Sequence, residues 1–186
     1  MKAWPAMAIM LLALPAAADE VALVCYNYGC ATEELVVFTE ERLAWARDLL
    51  AAAGSAASER NYLALVIGNF YGWAGEQTPI KADRGGNYAD EGRAGSMDCI
   101  DHSTTTTRFL RLLESRGYLR FHRVLEPAVR HRALFFGQHF TAVIEELRDI
   151  EGERRYAVDS WFVDNGQPAV ILPLDDWQEG GGPDVR

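Results

Sequence analysis

Residues 98–117, DCIDHSTTTTRFLRLLESRG, restrict the fold of this chain more than any other stretch. Asp98 is a good N-cap, Asp101 stands three residues past it and Gly117 is a natural terminator. The spacing therefore predicts a helix from Cys99 to about Arg116. Thr104, Thr105, Thr106 and Thr107 disfavour a helix by propensity, so tertiary packing has to hold them. One face of that helix, Cys99, Ser103, Thr106, Leu110 and Leu113, begins small and lightly polar and ends bulky and apolar. A helix with such a face lies with its first turns close against a sheet. Threonines on an outer face would need no such contact.

The flanking segments supply the other layers. Residues 21–30, VALVCYNYGC, read as a short strand and turn, and 34–38, ELVVF, as a second strand. Thr39 can cap a helix from Glu40 to about Ala53, with Leu43, Ala46, Leu50 and Ala53 on one stripe. Ser58 can cap the next, which carries Tyr62, Leu65, Val66, Asn69 and Phe70 on one side and fades near Gly72. Residues 74–97 have no sustained apolar period, and a loop of that length inside a domain is usually functional or disordered. Its place just before Cys99 suits a wall or lid. Beyond the central helix the chain is β-rich. Residues 118–127 alternate, 135–162 read as two strands joined near Glu151-Gly152, and 169–174 form a last, more apolar strand. The expectation is an α+β domain over residues 19–179: an N-terminal helical hairpin, a central helix, an antiparallel sheet, and a flexible tail at 180–186.

The chain opens MKAWPAMAIMLLALPAAADE. Lys2, the apolar run from Ala6 to Leu14, Pro15 and the small residues Ala16, Ala17 and Ala18 read as a secretory signal over residues 1–18. The run is too short to span a bilayer. The mature chain, about 168 residues, is one domain's worth of core. It is expected to be soluble, in a periplasm or outside the cell. The net charge is -9 and no basic block interrupts it, which excludes the electrostatic footprint of a nucleic-acid binder. The sequence holds 3 cysteines. Asn27 and Gly29 favour a turn that lets Cys25 and Cys30 pair, which leaves Cys99 as the odd thiol. It is either a functional thiol, an inert buried one, or a partner for one of the other two.

A cysteine nucleophile needs a thiolate, a base within reach, and a group that fixes the base's tautomer. A helix N-terminus favours the thiolate. His139 opens the first strand of the C-terminal hairpin and Asp159 lies on the second. Paired strands can bring imidazole and carboxylate together while the helix end presents the sulfur. Other chemistries have thinner support. Asp83, Asn87, Asp90 and Glu91 could hold calcium but lack the alternating spacing of a calcium loop. Cys99 and His102 lack a second pair at metal-ligand spacing, so no metal or cofactor is expected. His102 is read as covering the helix surface, and His122 and His131 as solvated face residues. Trp161 and Trp177 are read as core or rim aromatics.

A cysteine opening a helix, a histidine opening a strand, and an aspartate on the next strand in the aromatic-flanked VDSW resemble the transglutaminase-like cysteine protease superfamily. The resemblance covers Asp98 to Phe162 and is closest to its bacterial periplasmic members. It implies a papain-like core with Cys99 as nucleophile, His139 as general base and then acid, and Asp159 as orienting carboxylate. A hairpin turn centred on Gly152 puts residue 165 opposite His139 and Asp159 on the same face. A two-residue turn at Glu151-Gly152 puts Asp164 opposite His139 instead, because one residue of register flips every side chain. The oxyanion hole would take the Cys99 N–H and one donor from among Gln138, Gln77 and Asn87. Asp98 and Asp101 flank the thiol and oppose its ionisation. The implied function is acyl transfer on a peptide or amide, hydrolytic or transamidating. The rival readings are a binding or scaffold module on the same fold and a metal-dependent module.

Overall fold

A computed structural model describes residues 18–87, 89–131, 137–147 and 154–184. The leader at 1–17 and the anticipated turn at Glu151-Gly152 lie outside the described residues. The fold is α+β. Strands β1 (Glu20–Tyr26) and β2 (Thr32–Phe38) form an antiparallel hairpin, followed by helices α1 (Glu40–Ala51) and α2 (Ala56–Gly75) and a 3-10 turn at Pro79–Ala82. Helix α3 (Cys99–Ser115) comes next, then β3 (His122–Val124), β4 (Ala128–His131), β5 (Gln138–Glu146), β6 (Arg155–Asp159), β7 (Val170–Pro173) and α4 (Leu174–Gln178).

Helix α3 sits between β1 on one side and the main sheet on the other. Its cap is as the residues predict: the Asp98 carboxylate accepts from the Ile100 and Asp101 N–H groups, and Asp101 returns the bond to the Asp98 N–H. Such a cap is worth about 1 kcal/mol. The threonines have tertiary roles. Thr105 accepts from the Cys25 N–H at 2.9 Å and fixes β1 to the helix. Thr106 bonds Tyr71 and Ser160, and Thr107 bonds back to the Ser103 carbonyl. Phe109 stands edge-on to Phe38 and Phe70 in the fully buried core. Burying each such ring contributes about 1.5–3 kcal/mol.

Helix α2 begins earlier than its predicted cap. Ser55 is the N-cap, and Ser58 completes a capping box from inside the helix. The buried stripe is accordingly turned: Leu63, Val66, Ile67, Phe70 and Tyr71 are inside, while Leu65 is exposed. Gly68 is what lets this helix approach the 165–168 loop, since a Cβ there would lie 2.5 Å from the Gln167 carbonyl oxygen.

The main sheet runs β3-β5-β6-β7, with β4 also pairing β5. The long alternating segment after α3 yields only the short β3, because β3 and β4 share one edge of β5 in succession: β3 pairs residues 144–146 and β4 pairs 138–141. Ala142 pairs Val158 and Val143 pairs Ala157, which continued along the strands puts residue 139 opposite residue 161. Neither anticipated register is the observed one, although odd residues of β5 do share a face with odd residues of β6. The even face (Ala142, Ile144, Val158) joins the core around α3, and the odd face (Val143, Ala157, Trp161) packs with Trp177 of α4. The first residues of the segment expected as a flexible tail, 180–186, are bonded: the Gly180 and Gly181 N–H groups donate to the Trp177 and Asp176 carbonyls, and the Gly181 carbonyl accepts from Arg130.

Candidate active site

The sheet opens at one point, and the site is there. The Val143 carbonyl accepts from the Leu125 N–H, so odd residues of β5 aim their backbone groups at the β3/β4 side and even residues aim theirs at β6. The last β5–β6 pair is Ala142 with Val158. Beyond it the even backbone groups of β5 have lost their strand partner. The Cys99 sulfur occupies that gap, 3.7 Å from the Gln138 carbonyl oxygen, with the Phe140 N–H bonding to it from the other side of His139. Cys99 thereby reaches the odd-face cluster although the rest of its helix lies on the even face.

His139 projects into that cluster. Its Nε2 lies 2.7 Å from Asp159 Oδ2. The same oxygen accepts from Trp177 Nε1 at 2.8 Å, and Oδ1 accepts from the Trp161 N–H at 3.1 Å. A carboxylate accepting from two other donors takes the Nε2 proton as a third, so Nδ1 is the ring's lone pair. Trp161, Phe162 and Trp177 surround the imidazole, with ring centroids 4.8, 5.6 and 5.6 Å away. Trp177 is thus an indole that orients the acid, a role its sequence position concealed. The available signal was chemical: a buried indole N–H needs an acceptor.

Burial is the main cause that pushes the Cys99 thiol above its ordinary pKa, the Asp98 and Asp159 charges add to it, and the Phe140 N–H opposes it. Asp101 is pushed up to about 6, chiefly by burial and then by the charge of Asp98.

The other candidates are placed elsewhere or held by other partners. Asp164 is not the partner of His139: it accepts from the Gly85 N–H and pairs with Arg84 in solvent. Its assignment rested on a turn register the strands do not adopt. Gln77 is not an oxyanion donor, because its amide is spent on Val37 and on the Trp73 carbonyl. Gln138 is exposed beside Cys99. Asn87 accepts from the Ala89 N–H in a loop held to the site by the Gly86 N–H on the Trp161 carbonyl. Of the residues considered for calcium, Asp83 bonds Met97 and His102, and Asp90 bonds the Tyr28 hydroxyl. Two clefts of about 540 and 620 Å³, along Tyr156 and Pro173 and along Leu23 and Leu35, lie away from these residues.

Two histidines read as surface residues are buried. His102 is 3% exposed, with Nε2 3.0 Å from Asp83 and Nδ1 2.8 Å from Ser160. His122 is 2% exposed and lies between Glu59 and Arg60. Neighbouring arginines masked the inward-facing position of His122, and the polar run around His102 masked its own.

Cys25 and Cys30 form the expected disulfide, leaving Cys99 as the free cysteine among the described residues. The turn they close has positive φ at Asn27, Tyr28, Gly29 and Cys30. For the three with side chains this costs about 1–2 kcal/mol each. A crosslink over so short a loop returns about 2 kcal/mol, so further bonds must complete the balance. They come from the α3 cap: Asp101 accepts from the Tyr28 and Cys30 N–H groups at 2.8 and 2.6 Å, and Asp98 accepts from Gly29 at 3.0 Å.

Among the described residues no helix is long and apolar enough to cross a membrane. Comparison with protein-family models, curated proteins and solved structures finds no match, and the chemistry must be argued from this geometry.

Proposed function

We propose that this chain is an exported, thiol-dependent acyl-transfer enzyme of the transglutaminase-like, papain-like type, acting on peptide or amide carbonyls. One observation carries the reading: the free sulfur of Cys99 fills the gap in β5 on either side of His139, whose Nε2 is held by Asp159. The tautomer so imposed leaves Nδ1 as the base. Nδ1 takes the thiol proton, and the thiolate attacks the carbonyl carbon. The resulting imidazolium offsets the burial and the Asp98 and Asp159 charges that raise the thiol's pKa. Of the first N–H groups of α3, the Asp98 cap takes those of Ile100 and Asp101, so the Cys99 N–H is the one positioned for an oxyanion. Gln138, exposed beside Cys99, is the candidate for the second donor. His139 then returns its proton to the leaving amine, and water or an amine takes the acyl group. Export is supported by the disulfide and by the leader read from the sequence.

The test is the pH profile of Cys99 alkylation. Iodoacetamide is expected to label Cys99 between pH 6 and 7 faster than free cysteine, whose pKa is about 8.5. His139→Ala should slow that labelling by about tenfold or more. Labelling no faster than free cysteine, unchanged by the substitution, would transfer the chain to the binding-module class.

A further inference from the structure

The turn closed by Cys25 and Cys30 touches both the first turn of α3, which carries Cys99, and the loop that leads into it. Its Tyr28, Gly29 and Cys30 N–H groups hold the two carboxylates of the α3 cap. Asn27 donates its N–H to the Ser96 carbonyl at 2.8 Å and accepts from the Gly95 N–H at 3.0 Å. The Tyr28 hydroxyl donates to buried Asp90 at 2.6 Å. Both the first turn of α3 and the wall of residues 90–97 are therefore fastened to one small ring whose covalent closure is the disulfide. The two half-cystines differ. Cys25 is fully buried with Arg108 Nη1 3.3 Å from its Sγ, whereas Cys30 is partly exposed. Glu33 also lies 3.5 Å from the Cys25 sulfur, but it is paired with the same guanidinium, whose nitrogen is nearer.

We propose that the Cys25–Cys30 disulfide is a thiol–disulfide exchange site through which a dithiol reductant controls the Cys99 site. The control rests on the acyl-transfer reading; the exchange and the release of the turn do not. The reductant's thiolate attacks the sulfur of the more exposed residue, Cys30, the S–S bond breaks, and Cys25 leaves as a thiolate beside Arg108, which favours departure from that side. The reductant's second thiolate then attacks its own sulfur in the mixed disulfide and frees Cys30. Two electrons pass from the dithiol to the cystine, the reductant leaves as its own disulfide, and two protons settle on the freed thiols. Without the crosslink, Asn27, Tyr28 and Cys30 relax from their left-handed conformation and withdraw three N–H donors from Asp98 and Asp101. Those carboxylates then keep only their cap bonds within α3, and their charge beside Cys99 disfavours its thiolate. The reduced form is the less reactive one.

The experiment treats the full oxidised chain with excess dithiothreitol, removes the reagent, and follows each cysteine by peptide mapping during iodoacetamide labelling. Amide hydrogen exchange of residues 89–101 is measured on the same samples. Reduction is expected to expose both Cys25 and Cys30 with near-UV dichroism retained, to speed exchange across residues 89–101, and to slow Cys99 labelling by about tenfold, equivalent to one unit in thiol pKa. Arg108→Gln, which keeps the disulfide, should slow its reduction severalfold. The proposal is overturned by exchange that reduction leaves unchanged, by a disulfide that resists dithiothreitol in the folded chain, or by global unfolding, which would make the bond a structural staple. Faster exchange combined with a Cys99 no more reactive than free cysteine sinks the acyl-transfer reading and leaves the released turn standing. Fast Cys99 labelling with unchanged exchange does the reverse.

Discussion

Two buried histidine–aspartate pairs lie close together in this molecule, and they differ in what occupies the second ring nitrogen. His102 gives Nε2 to Asp83 and Nδ1 to Ser160, and Ser160 is bonded onward to Thr106 and Tyr71's partner network. Every member of that chain has a fixed partner, so it ties α3 to the end of β6 and to the start of the 83–98 loop and has no capacity left for chemistry. His139 gives Nε2 to Asp159, but Asp159 is saturated by indole and backbone donors, and the ring packs on the aromatic cluster that Cys99 also touches. Residue type and burial are the same in both pairs. A histidine sealed at both nitrogens is a joint, and one held at a single nitrogen beside a nucleophile is a candidate base. His122, held by Glu59 and Arg60, belongs with the first kind.

The largest expected break in that comparison comes from Asp159→Asn. The amide can turn its oxygen toward only part of the three donors, which unlocks the tautomer of His139. Cys99 labelling at pH 6–7 should fall by about tenfold or more, up to the loss that His139→Ala produces, because Asp159 acts through that ring. Retention of the wild-type rate would remove Asp159 from the mechanism.

Asp83→Asn should act on the other side of the comparison. It sets an amide against the Met97 N–H and the His102 ring, a buried mismatch costing about 1–3 kcal/mol in chemical denaturation. Labelling of Cys99 should stay within about threefold of wild type, since Asp83 acts on placement and not on the proton. A loss of labelling as large as that of Asp159→Asn would show that the sealed pair takes part in the chemistry.

How much of this was legible follows from the kind of signal each part leaves. The α3 boundaries were readable because Asp98, Asp101 and Gly117 act locally, through bonds to backbone groups a few residues away. The Cys25–Cys30 pairing was readable from five-residue spacing around a turn. The α2 stripe was misplaced because its orientation is set at a distance, by the approach of Gly68 to the 167 backbone. His102 and Trp177 were missed for a related reason. Each is a polar group whose partner, Asp83 or Asp159, is remote in sequence, and no local periodicity encodes a partner. The His139–Asp159 contact was named from the order of elements, yet through a register that is not the one observed: residue 139 faces 161, which puts Asp159 at the diagonal position.

That register supplies the smallest and most discriminating test. Had the strands turned as a two-residue loop at Glu151-Gly152, Asp164 would stand against His139. Observed instead is a pair with Arg84, both side chains about half-exposed or more, together with a bond from the Gly85 N–H. Exposed ion pairs contribute about 0–1 kcal/mol. Asp164→Asn keeps an acceptor for Gly85 and should change stability by no more than about 0.5 kcal/mol and leave the pH profile of Cys99 labelling where it was. The contrast with Asp159→Asn then isolates geometry from composition, because both substitutions remove one aspartate charge from the same short stretch of chain. If Asp164→Asn shifted the labelling profile and Asp159→Asn did not, the pairing of β5 with β6 would have to be redrawn, and with it the identity of the orienting acid.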